Sequence, residues 1–72
     1  MNYYKVKFTI TPYSQQNAEI LVALLADMQF DSFEDFNQGI FAYIPEQFYD
    51  SHGITTLINE EIFLGIGIDF QA

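Results

Sequence analysis

The chain has no cysteine, no tryptophan and no arginine, and its only basic side chains are Lys5 and Lys7, set against ten acidic residues. Without cysteine there is no disulfide and no thiolate nucleophile or metal ligand. In so small a domain that absence points to a reducing, cytoplasmic setting, because small secreted domains are usually stapled by disulfides. A net charge of −8 on 72 residues excludes the basic footprint of a nucleic-acid binder, since a phosphate backbone would be repelled. The same excess draws in basic protein surfaces. Long hydrophobic runs are missing too. Ile20 to Ala26 is the longest, well short of the ~20 residues that a spanning helix needs. The opening Met1-Asn2-Tyr3-Tyr4-Lys5-Val6-Lys7 has no apolar stretch behind its charges, so it is not a signal peptide. Anionic lipid surfaces would repel so acidic a chain.

What the chain does have is apolar bulk. Half of its residues are hydrophobic, with eight Phe and five Tyr, which argues against disorder and for one small domain over residues 1–72. A chain of this size buries only about 60% of the surface its unfolded form exposes, so large aromatic side chains help to complete the core.

The patterns along the chain give alternating elements. Tyr4, Val6, Phe8 and Ile10 alternate with Tyr3, Lys5, Lys7 and Thr9, a period-two strand that Pro12 ends. Ser14 is a candidate N-cap, and Ala18, Leu21, Leu25 and Met28 lie on one helical stripe, predicting a helix from about Gln15 to Met28. Phe30–Phe36 and Ile40–Ile44 read as a hairpin around Asn37-Gln38-Gly39, with Gly39 able to take positive φ in the turn. Glu46–Glu61 reads as a second helix capped by Asp50 or Ser51, weakened by Gly53 and Thr55-Thr56. Ile66, Ile68 and Phe70 supply a last strand. The order βαββαβ predicts an α+β, ferredoxin-like sandwich: a four-stranded antiparallel sheet with two helices on one face.

Few residues carry catalytic chemistry. Gly65-Ile66-Gly67-Ile68-Asp69 has the spacing of a nucleotide loop, but such a loop opens a helix and is followed by a further strand, and only three residues remain. It reads instead as a strand edge. His52 is the only imidazole and has only sequence neighbours, Asp50 and Ser51, rather than the geometry of a triad; an exposed helix start is expected for it. Glu34-Asp35 and Glu60-Glu61 are adjacent acids that diverge on either a strand or a helix, so neither forms a carboxylate dyad. No catalytic, metal or cofactor residue is assigned. Tyr3, Phe36, Phe41 and Tyr43 should share the open face of the sheet with both lysines, where exposed aromatics mark a protein contact more often than an RNA platform in so acidic a chain.

The run Leu24-Leu25-Ala26-Asp27-Met28-Gln29-Phe30-Asp31-Ser32-Phe33-Glu34, the segment Gly39-Ile40-Phe41-Ala42-Tyr43-Ile44-Pro45-Glu46 and the opening Tyr3-Tyr4-Lys5-Val6-Lys7-Phe8 together resemble the N-terminal domain of ribosomal protein L-eleven methyltransferases, in a Bacteroidetes-like form. The resemblance covers nearly the whole chain. It implies a ferredoxin-like domain that recognises a basic ribosomal protein of the large subunit. It also implies that the chain is the N-terminal fragment of a longer enzyme. A separate C-terminal domain, absent from this chain, would bind S-adenosylmethionine and transfer the methyl groups. No catalytic residue carries over. The family often has Gly at the helix stop where this chain has Gln29. On this reading Asp31, Glu34 and Asp35 are the candidate partner-binding acids, with Phe36, Phe41 and Tyr43 as anchors. The alternative is a regulatory ferredoxin-like module that binds a small ligand.

Overall fold

A computed structural model describes residues 2–72. The elements are β1 (Tyr3–Thr11), α1 (Gln15–Ala26), β2 (Ser32–Phe36), β3 (Gly39–Pro45), α2 (Ser51–Ile58) and β4 (Gly67–Gln71), with 3₁₀ turns at Glu46–Phe48 and Glu61–Phe63. The four strands form one antiparallel sheet in the order β2-β3-β1-β4. With this connectivity the fold is the ferredoxin-like α+β sandwich that the patterning predicts.

Alternation in β1 places Val6, Phe8 and Ile10 on the covered face, where they meet Ile40, Ala42 and Ile44 of β3 and Ile68 of β4. Ala18, Leu21 and Leu25 of α1 and Ile54 of α2 close over them, joined by Phe30 and Phe63. Every buried side chain in this core is apolar. The Phe8 ring lies 6.0 Å from Phe30, edge to face, and 6.1 Å from Phe70. A central strand flanked by two partners thus supplies the largest residue at the middle of the core.

Ser14 caps α1 as its sequence suggests, with Oγ accepting from the Asn17 N–H at 3.1 Å. The regular helix stops at Ala26, two residues before the predicted end, because the chain closes in a Schellman turn. The Phe30 N–H donates to the Leu25 carbonyl, the Gln29 N–H donates to the Ala26 carbonyl, and Gln29 takes φ 81°. Phe30 and Leu25 are both buried, which is the hydrophobic contact that accompanies this motif. The left-handed backbone explains why a glycine suits this position: Gln29 pays a Cβ penalty that glycine avoids.

Three further expectations are corrected. First, β2 begins at Ser32 rather than Phe30, since Phe30 belongs to the helix closure. Second, Gly39 does not have positive φ; the loop is the two residues Asn37-Gln38, and Gly39 is the first residue of β3, paired with Phe36 and Thr9. Its role is close approach, because a Cβ there would lie 1.8 Å from the Phe8 carbonyl oxygen. Third, the long second helix is three pieces. Tyr49 and Asp50 are extended, and the Tyr49 ring packs edge-on against Tyr4 at 4.7 Å. Asp50 then caps α2 through its side chain, which accepts from the Gly53 N–H at 3.1 Å. Thr55 and Thr56 return their hydroxyls to the Ser51 and His52 carbonyls, and Asn59 donates to the Thr55 carbonyl, ending the helix after two turns.

Candidate recognition surface

The strand parity that buries Val6, Phe8 and Ile10 sends Tyr3, Lys5, Lys7 and Thr9 to the opposite, uncovered face of the sheet. Across from them β3 contributes Phe41 and Tyr43, and β2 contributes Glu34 and Phe36, by the registers Lys5–Tyr43, Lys7–Phe41 and Glu34–Phe41. This face is knitted by diagonal cross-strand contacts. Lys5 Nζ lies 4.4 Å from the Phe41 ring centroid and 6.0 Å from that of Tyr43; Lys7 Nζ lies 5.3 Å from that of Phe36. The Phe36 and Phe41 rings are 4.9 Å apart.

The acids of this face are held by tyrosines. The Tyr3 hydroxyl donates to Asp31 Oδ2 at 2.9 Å, and the Tyr43 hydroxyl donates to Glu34 Oε1. These hydrogen bonds push both phenols above the ordinary tyrosine pKa, because ionising the phenol would remove the donor and set two negative charges side by side. Asp31 lies just before β2 and is tied to the sheet by its N–H, which donates to the Tyr43 carbonyl.

Five of the six candidate residues therefore meet on one surface: Asp31, Glu34, Phe36, Phe41 and Tyr43. Asp35 does not. Adjacent residues of a strand face opposite ways, and Asp35 points to the helix side, at the outer edge of the sheet. There it lines an open groove of about 420 Å³ with Tyr13, Gln15, Ala18, Glu19 and Val22. Sequence reasoning missed this groove, because only the folded register brings Tyr13 and α1 to the edge of β2. It also missed Asp69, which β4 places opposite Thr9 on the open face.

The remaining motifs take structural places. Gly65 has φ 83° and turns the chain into β4, which Gly67 already begins, so no helix follows the glycines. His52 is exposed in the first turn of α2. Among the described residues no three His, Asp or Glu side chains converge as a metal centre requires, and no helix is long and apolar enough to cross a membrane.

The fold and this surface define a small ferredoxin-like domain whose open sheet face carries aromatic rings, both lysines and three of the acids, Asp31, Glu34 and Asp69. No protein-family model, curated protein or solved structure matches the chain.

Proposed function

We propose that this chain is a substrate-recognition domain of a ribosomal protein methyltransferase. It holds a basic protein of the large ribosomal subunit for methylation by a separate S-adenosylmethionine-dependent domain. It works in the cytoplasm and is not itself the catalyst. The observation that carries this reading is an exposed aromatic sheet face on a domain whose ten acids are all at the surface. Both lysines are confined to the open sheet face and engaged with aromatic rings. Asp31, Glu34 and Asp69 stand on or beside that same face, and the other acids are exposed over the rest of the surface. Such a surface favours encounter with a basic protein and orients it, while the aromatic rows supply the apolar anchors that affinity requires. The ferredoxin-like fold agrees with what the resemblance implies, and Gln29 occupies by its left-handed backbone the place where that family often has glycine.

The test is an NMR titration of the domain with the purified basic ribosomal protein at low and moderate salt. Saturable shifts that weaken as salt rises are expected, centred on the β2–β3 hairpin. The variant Asp31→Lys/Glu34→Lys should bind more weakly at low salt. Unchanged binding by that variant, or no shifts with the ribosomal protein at high micromolar concentration, would sink the reading.

A further inference from the structure

The acid that leaves the sheet face points to a second feature of the same recognition. Asp35 and Glu19 stand in the groove between α1 and the outer edge of β2, and both lysines of the chain lie on the opposite face of the sheet. Neither lysine, among the described residues, is placed to neutralise them. Among the described residues Asp35 accepts no side-chain hydrogen bond, whereas Gln15 Nε2 donates to one oxygen of Glu19 at 3.1 Å and leaves the other available. Ala18 and Val22 add apolar surface to the same groove, and Tyr13 adds an exposed ring. Two carboxylates that line one groove with aliphatic and aromatic surface match a long side chain with a methylene stem and a cationic head. The volume, about 420 Å³, is in the range of small-ligand sites.

The neighbouring edge says what such a side chain is attached to. β2 is an outermost strand of the sheet, so its outward N–H and C=O groups are unpaired by any strand. An extended segment lying along it would send alternate side chains to the two faces, one set toward Asp35 and the groove, the other toward Glu34. A second copy of β2 would bring another Glu34 and Asp35 to the same short edge, which like-charge repulsion disfavours. A basic segment is favoured at the same positions.

We propose that this groove receives a lysine or arginine side chain from an extended basic segment of a partner protein, with Glu19 and Asp35 as counter-charges and Tyr13 as the aromatic wall. The proposal rests on the recognition reading above and adds to it a second cation-holding surface, distinct from the open sheet face.

Two probes separate the two ideas: the ribosomal protein itself, and the peptide acetyl-Ala-Lys-Ala-Lys-Ala-amide beside its analogue with both lysines acetylated. With the isotope-labelled domain, the cationic peptide is expected to move the amides of Tyr13, Glu19 and Asp35 saturably, and the neutral analogue to leave them in place. Glu19→Gln/Asp35→Asn, which alters only exposed side chains, should weaken peptide binding at least tenfold while the spectrum stays folded. The ribosomal protein should move the same amides. Equal shifts from the neutral analogue, binding unaffected by the double substitution, or no groove shifts with either probe would each overturn the groove. Ribosomal protein binding with no groove shifts would overturn it while leaving the recognition reading intact. Groove binding of the peptide together with no binding of the ribosomal protein would uphold the site and defeat the reading.

Discussion

Replacing Gly39 by alanine tests the packing of the hairpin on the central strand. A Cβ at this position would sit 1.8 Å from the Phe8 carbonyl oxygen and 2.9 Å from its carbon. The obstacle is backbone at the centre of the sheet, so no rotamer change can relieve it. β1 and β3 must part where Thr9 pairs with Gly39, and the adjoining hydrogen bond from the Ile10 N–H to the Gln38 carbonyl, 2.8 Å long, is drawn into the displacement. Losing about two buried backbone hydrogen bonds, at roughly 1–3 kcal/mol each, costs ~2–6 kcal/mol. A domain of this length has on the order of 4–11 kcal/mol in all. The melting temperature should therefore fall by more than about 10 °C, given ~4–8 °C per kcal/mol for small domains. Circular dichroism melts and urea titrations of Gly39→Ala beside Gly67→Ala provide the comparison. At Gly67 the nearest atom to an added Cβ is 3.5 Å away, an ordinary contact, so that variant should stay within about 0.5 kcal/mol of the parent. A Gly39→Ala domain as stable as Gly67→Ala would refute the close approach and with it the seating of the hairpin on β1.

Four other outcomes are expected. Gln29→Gly should stabilise the domain by roughly 0.5–1 kcal/mol, because relief of the left-handed backbone exceeds the added chain entropy; a chemical melt in which it is destabilising would contradict the Schellman closure. Leu25→Ala removes a fully buried side chain and should cost about 3–4 kcal/mol in urea denaturation. Asp50→Ala should cost about 1 kcal/mol through the lost cap of α2, measured the same way. Tyr3 and Tyr43 should ionise above the ordinary tyrosine range in an absorbance titration, a late component that Tyr3→Phe/Tyr43→Phe abolishes. Because their folded pKa values are raised, the stability they contribute is complete below about pH 10 and is lost as pH climbs through the folded values.

The parts of the fold that were legible in the sequence are those governed by local periodicity. Val6-Phe8-Ile10 against Lys5-Lys7 could only be a strand with one buried face, and Ile40-Ala42-Ile44 its partner. The element order then led to the sheet topology. The misplacements came where tertiary contacts overrode a local signal. A stripe through Met28 looks helical, but the burial of Phe30 against Leu25 favours the earlier closure. Gly39 looks like a turn glycine because the need for it lies on β1, some thirty residues away in sequence. The span from Glu46 to Glu61 has enough apolar residues for one helix, but Tyr49 is drawn to Tyr4 and the chain extends there. On the candidate surface, alternation alone was sufficient to gather Phe36, Phe41 and Tyr43 with the lysines. The pairing of Asp31 with Tyr3 needed the register. The groove at Asp35 needed the packing of α1, which no short stretch of sequence encodes.

The confinement of Lys5 and Lys7 to the open sheet face has a practical consequence for anyone who labels or tethers this domain. Amine-directed reagents find only these two side chains besides the chain's terminal amine. A dye, crosslinker or sensor chip coupled through lysine would therefore sit on the aromatic sheet face, strip its ammonium groups from the rings of Phe36 and Phe41, and mask one of the two surfaces whose binding was to be measured. Coupling through carboxylates would scatter the attachment over every face instead, because the ten exposed acids are not confined to one side of the molecule, so the two chemistries applied to one preparation would give a single orientation in one case and a mixture in the other.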